Sequence, residues 1–222
     1  MKGIGLFGGT FNPIHVGHLR VAEDVRAGFD LEKIVFIPSA IPPHKDIGDL
    51  ADAQARYAMI ATALSTYPDF VASDVEIHRQ GPSYTIDTVT YFQNHLPTGI
   101  VCYLIVGMDA FLEITTWKTW QHLFDLIPFI VMTRPGTAAA SLSDPLTEME
   151  NYIHAHVGKG YGYLPKQSCF IHRTKQPVYL THVTPIDISS SAIRNRVRQG
   201  RSIQGLVPDG VDDYIKHKGL YK

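Results

Sequence analysis

The sequence predicts an α/β protein, a parallel sheet covered by helices, and three observations lead there. Short apolar runs alternate with longer amphipathic stretches from Ile4 to Met132. The 222 residues are 45% hydrophobic, enough to bury one generous core as a single domain over residues 1–222. A glycine- and histidine-containing turn follows the first apolar run, where ligands collect in such folds.

Taken in order, residues 4–7, 34–37, 71–77, 100–106 and 129–132 have the length and content of buried strands. Between them, residues 18–28, 51–64, 85–95 and 119–126 have helical periodicity. Right-handed crossovers bring the C-terminal ends of such strands to one sheet edge. Residues 134–145, rich in Pro, Gly, Ala and Ser, read as a loop into a helix over 146–157. Gly158-Lys-Gly-Tyr-Gly162 lacks a preceding strand and a Ser or Thr after its lysine, so it reads as a surface turn. A strand over 178–183 and a helical stretch from about 189 onward, broken near 205–209, complete the pattern.

The net charge of −1 gives no overall bias toward nucleic acid or an anionic membrane, so any phosphate recognition must come from locally placed cations. No stretch approaches the roughly 18 apolar residues of a membrane span, and residues 8–13 interrupt the N-terminal apolar run before a signal core forms. Cys102 and Cys169 lie far apart, without a Cys-x-x-Cys site or a disulfide framework. A cytoplasmic protein with no nucleic-acid or membrane partner is the expectation, with a homo-oligomer left open.

Four constellations carry chemistry. In Leu6-Phe-Gly-Gly-Thr-Phe-Asn-Pro-Ile-His-Val-Gly-His18, Gly8 and Gly9 are expected to turn the backbone sharply and let it approach a ligand. The helix start that follows offers N–H donors, with His15 and His18 beside them. The spacing fits neither a Walker loop nor a dinucleotide fingerprint. No cysteine or carboxylate lies within ligand spacing of the two histidines, which argues against zinc, and no protein-held metal is expected. In Ile188-Ser-Ser-Ser-Ala-Ile-Arg194, serines cap a helix and Arg194 follows one turn later, suited by its planar fork to phosphate oxygens. Arg198 and Arg201 continue that stripe as a solvated basic face. Pro38-Ser-Ala-Ile-Pro-Pro-His-Lys45 is a stiff loop that can hold Lys45 over the strand edge. Val106-Gly-Met-Asp109 ends a strand with a glycine that permits close approach and a carboxylate able to accept from ribose hydroxyls.

The first run fills every fixed position of Gly-Gly-x-Phe-x-Pro-x-His-x-Gly-His, and so resembles the H-x-G-H nucleotidyltransferase superfamily. Over nearly the whole chain the pattern is similar to one branch, the bacterial nicotinate-nucleotide adenylyltransferases. The marks are Pro42-Pro-His-Lys45, Pro82-Ser-Tyr-Thr85, Gly107-Met-Asp109, Thr116-Trp117, Arg134-Pro-Gly136 and Gly219-Leu-Tyr-Lys222. The resemblance implies a Rossmann-like nucleotidyltransferase fold with helices on both sheet faces. It implies adenylyl transfer from ATP to nicotinate mononucleotide in NAD biosynthesis, with Mg2+ held mainly by ATP phosphates. His15, His18, Lys45 and Arg194 would be catalytic, and ATP would lie on Gly8, Gly9, Thr10, Phe11, Gly107, Asp109, Ser190 and Ser191. Tyr84, Thr85, Trp117 and Arg134 would bind nicotinate mononucleotide. Two positions depart from the pattern: Lys118 stands where relatives often carry an aromatic, and Ser191 where threonine is common. Phosphopantetheine adenylyltransferases and glycerol-phosphate cytidylyltransferases share the first motif but not Ser83-Tyr-Thr85 with Thr116-Trp117. A nucleotide sensor without turnover would have no use for groups that act only in the transition state.

Overall fold

The computed structural model describes residues 3–42, 49–133 and 144–222. These fall into two compact units, one made of 84–185 with the first residues of the chain, the other of 7–83 and 186–222.

The second unit holds the end of β1 (Gly3–Gly9), then α1 (Val16–Gly28), β2 (Leu31–Pro38), α2 (Ala53–Leu64), β3 (Phe70–Ala72) and α3 (Val75–His78). Its strands run in the order β3-β2-β1, with β2 and β3 parallel and Ile34 opposite Phe70. The strand expected over 71–77 stops at Ala72. Ile77 and His78 donate to the Asp74 carbonyl at 2.9 and 3.1 Å, which winds this stretch into the single turn of α3.

The first unit continues with α4 (Thr85–His95), β4 (Val101–Gly107), α5 (Met108–Leu112), α6 (Trp120–Leu126), β5 (Phe129–Thr133) and α7 (Pro145–Tyr152). It closes with β6 (Gly162–Leu164), β7 (Cys169–Ile171) and β8 (Val178–His182). The strand order is β1-β4-β5-β8-β7-β6. Strands β4, β5 and β8 are parallel, with Leu104 opposite Phe129 and Phe129 opposite Val178, while β6 and β7 are added antiparallel. Every residue of β5 is buried, as a strand covered on both faces requires. Phe111, Phe124 and Phe129 form its aromatic core, Phe124 stacking on Phe129 at 4.7 Å.

The helix expected over 146–157 ends as an α-helix at Tyr152 and adds one π turn, Ile153–Val157. Gly162, assigned by sequence to a surface turn, opens β6 instead. The remaining helices, α8 (Ser190–Arg198) and α9 (Asp209–Lys218), return to the second unit.

Candidate active site

Strand β1 runs straight through Gly8 and Gly9, so the reversal expected at the glycines falls further on. Phe11 takes a left-handed conformation at φ 47°, and the Asn12–Pro13 peptide bond is cis. The two glycines differ. Gly8 is exposed with open space around it, whereas a Cβ on Gly9 would come within 3.1 Å of the Phe11 ring.

The chain then enters α1 with His15 as N-cap and His18 in the first turn. The main-chain N–H of His15 donates to His18 Nδ1 at 3.2 Å. That bond makes Nδ1 an acceptor, so Nε2 is the ring nitrogen that carries an N–H. Its ring stacks on His15 at 3.7 Å and meets the edge of Phe11 at 5.0 Å. His15 itself is buried behind it. Gly17 fits this arrangement because a Cβ there would reach 3.0 Å from His15 Nδ1.

The donors expected at the start of α1 are largely taken: Val16 N donates to the Leu206 carbonyl and His18 N to the His15 carbonyl. The open donors belong to α8. Ser189 caps that helix by accepting from Ala192 N at 3.2 Å, and Ser190 and Ser191 present first-turn N–H groups that the helix cannot satisfy. Their hydroxyls are engaged, Ser190 Oγ donating to the Pro13 carbonyl at 2.9 Å and Ser191 Oγ lying 3.1 Å from Ser189 Oγ.

Arg194, one turn along α8, donates from Nη1 to the Asn12 carbonyl at 3.0 Å. Its buried Nε has no partner among the described residues. Gly9, Thr10, Phe11, His18, Ser190 and Arg194 thereby line one cavity of about 280 Å³, with Asn12, Asp49 and Leu50 completing its wall. That volume lies just below the range of about 300–1,000 Å³ for whole small ligands, so it suits the phosphate portion of a larger one.

Sequence reasoning missed three contributors. Arg56, fully buried, donates to the carbonyls of Ala51 and Thr10 at 2.8 Å each and of Ala40 at 3.2 Å, which ties the loop after β1 to its neighbours. Burial lowers its pKa, while Tyr221, Asp52 and Glu76 act in the opposite direction. Asp49, in the wall of the cavity, pairs with Arg198 at 2.6 Å, and both side chains remain exposed, as expected of a solvated stripe. Asn12 lies within the first motif, yet nothing in its spacing announces the hydrogen bonds it makes.

In the first unit, Gly107 ends β4 and Asp109 lies in the first turn of α5. The Asp109 carboxylate folds over Gly107 so closely that a Cβ there would collide with it. Tyr84 is the N-cap of α4 and Thr85 its first residue, at a helix start whose first N–H groups have no partner within the helix. Trp117, half-buried, follows the 3-10 turn Ile114–Thr116. The departure at Lys118 has a local role: its Nζ lies 4.4 Å from the Tyr84 ring centroid and 3.4 Å from Asp87 Oδ2. Lys45 and Arg134 lie outside the described residues.

An imidazole, an open helix start and a guanidinium around one cavity at a strand end fit an α/β nucleotidyltransferase. The chain matches the cytidylyltransferase-like family model over residues 6–196. It is 41% identical to a protein from Desulfatibacillum aliphaticivorans named probable nicotinate-nucleotide adenylyltransferase, over 98% of this chain and 99% of that one. A protein of the same name from Geotalea uraniireducens is 41% identical over 98% and 97%. The fold is also that of Plasmodium falciparum nicotinic acid mononucleotide adenylyltransferase complexed with NaAD, with a TM-score of 0.71, 19% identity and coverage of 100% and 98%. The chain belongs to the nicotinate-nucleotide adenylyltransferases of the cytidylyltransferase-like family.

Proposed function

We propose that this chain, acting as one nucleotidyltransferase domain over residues 1–222, transfers the adenylyl group of ATP to nicotinate mononucleotide. The products are nicotinate adenine dinucleotide and pyrophosphate, a step of NAD biosynthesis. The observation that carries this reading is the convergence of His18, the α8 start and Arg194 on one cavity. Membership of the family supplies the choice of reactants.

The acceptor's 5′-phosphate, with a second pKa of about 6, is already largely dianionic at neutral pH, so no general base is needed. The phosphate oxygen attacks the α-phosphorus and the bond to pyrophosphate breaks. Alignment and stabilisation of the developing charge are what the protein supplies. His18 donates through Nε2, α8 through the Ser190 and Ser191 N–H groups, and Arg194 through its fork. His15 holds the His18 ring from behind, and Gly9, Thr10 and Phe11 shape the floor, with the exposed Gly8 leaving room for a ligand beside them. Lys45 adds a further cation.

Gly107 and Asp109 take the ATP ribose, the carboxylate accepting from hydroxyls. Thr85 offers main-chain donors to the nicotinate carboxylate, Tyr84 and Trp117 offer aromatic surface to the pyridine ring, and Arg134 completes that subsite. The described cavity wall offers mainly N–H donors, and its one carboxylate, Asp49, is paired with Arg198. Mg2+ brought in with ATP would therefore be held by phosphate and water oxygens, and would supply charge neutralisation on the leaving group. Buried free thiols at Cys102 and Cys169 fit a reducing compartment, and we place the protein in the cytoplasm.

Pyrophosphate release with ATP and, side by side, nicotinate mononucleotide, nicotinamide mononucleotide or phosphopantetheine tests the proposal. Fastest release is expected with nicotinate mononucleotide. A preference for phosphopantetheine would overturn it.

A further inference from the structure

We propose that Tyr221 is a positioning residue for the triphosphate cavity, acting through Asn12; this rests on the reading of that cavity as the ATP site. Asn12 is a buried junction of four hydrogen bonds. Its Nδ2 donates to the Asp49 carbonyl at 2.8 Å, and its Oδ1 accepts from Ala51 N at 3.0 Å. Its main-chain carbonyl accepts from Arg194 Nη1 at 3.0 Å. The fourth bond comes from the far end of the sequence: Tyr221 Oη donates to Asn12 Oδ1 at 2.8 Å, across 209 positions.

The arrangement fixes both the side chain and the carbonyl of one residue. The side-chain bonds set the plane of the Asn12 amide against residues 49–51, and the carbonyl then presents a fixed acceptor to Arg194. Because Arg194 uses Nη1 on that carbonyl, the direction of its remaining N–H groups follows from where Asn12 is held.

Tyr221 reaches its place through a left-handed turn, with Gly219 at φ 62° and Tyr221 at φ 64°. A non-glycine residue holds that conformation only where its surroundings repay it, and the hydroxyl bond is one such return. Burial pushes the phenol above its ordinary range, outweighing the opposing pull of Arg194 and Arg56. The hydroxyl therefore stays protonated, and a donor to Asn12, throughout the working pH range.

The test is calorimetric titration of ATP into the wild-type chain, Y221F, N12A and the double variant, with melting temperatures measured alongside. Y221F deletes one hydroxyl and should weaken ATP binding by about 3- to 10-fold, the loss of one buried hydrogen bond. N12A should cost more, and adding Y221F to it should cost nothing further, since Tyr221 acts only through Asn12. If N12A does not fold, Asn12→Ser takes its place in the cycle.

In turnover, Y221F should raise the KM for ATP and leave the KM for nicotinate mononucleotide unchanged. A tyrosine that merely stabilised the fold would lower the melting temperature with both KM values unmoved. That result, or losses that multiply in the double variant, would overturn the proposal. Binding of ATP by a wild-type chain that fails to use nicotinate mononucleotide would count against the proposed acceptor alone, because this cycle is read on ATP.

Discussion

Helix α1 begins with its main-chain donors largely closed off, and α8 begins with them open. At α1, the Val16 N–H goes to Leu206 and the His18 N–H to His15, so the helix contributes a side chain, the Nε2 donor of His18. At α8 the hydroxyls of Ser190 and Ser191 are engaged within the protein, and what faces outward is backbone. Both helices reach the same cavity, yet α1 brings an imidazole to it and α8 brings its first turn and Arg194; in the proposed reaction, one would be read through a side chain and the other largely through peptide N–H groups. Two helix starts at one cavity can thus look alike in sequence and differ in whether side chain or main chain is left to meet a ligand.

The largest effect expected from this contrast is at His18. Replacing it with alanine should lower turnover by roughly 10²–10³, as for the loss of one preorganised donor, with a smaller change in ATP affinity. Unchanged turnover in a folded variant would remove the α1 half of the comparison. Arg194→Lys keeps the charge but loses the fork and the bond to Asn12, and should weaken ATP binding by roughly 10- to 100-fold in a direct titration.

The main-chain role of α8 can be isolated at Ser190, the first residue of the helix, where proline is tolerated. Ser190→Ala removes only the hydroxyl, whereas Ser190→Pro removes the N–H as well. The proline variant should bind ATP about tenfold more weakly than the alanine variant. Equal affinities would show that the helix start is not read through its backbone. At Gly17, an added Cβ presses on the His15 ring that backs His18, so Gly17→Ala should lower kcat by about 3- to 10-fold while the melting temperature changes little.

The smallest effect concerns the scaffold rather than either helix. Burial pushes the Cys102 and Cys169 thiols up to about 11 from an ordinary value of 9.0. The unfolded chain releases these protons first, so stability contributed by the neutral thiols is complete below about pH 9 and declines as pH rises toward 11. Thermal melts across that interval should fall, and Cys102→Ser with Cys169→Ser should flatten the decline.

Much of the fold was legible because long elements carry periodicity. Helix α4 has the expected bounds, and β4 and β5 lie within a residue of theirs, since continuous apolar runs mark strands buried on both faces. Strands β6 and β7, three residues each, were too short to show alternation. The strand expected over 71–77 was lost to the turn at Asp74, which no count of apolar residues reveals.

In the site, residue types were legible and their division of labour was not. The motif named His18 and Arg194, but which helix offered open N–H groups depended on Leu206, distant in sequence. Arg56 carries no local signal, and the C-terminal mark that includes Tyr221 does not reveal its partner, because Thr10 and Asn12 are remote along the chain.

The most direct test of two distant sequence motifs acting on one triphosphate is a crystal structure with a non-hydrolysable ATP analogue. Phosphate oxygens are expected within hydrogen-bonding distance of His18 Nε2, of the Ser190 or Ser191 N–H, and of Arg194. A triphosphate that touched the α1 side and left α8 and Arg194 without contact would contradict the shared cradle.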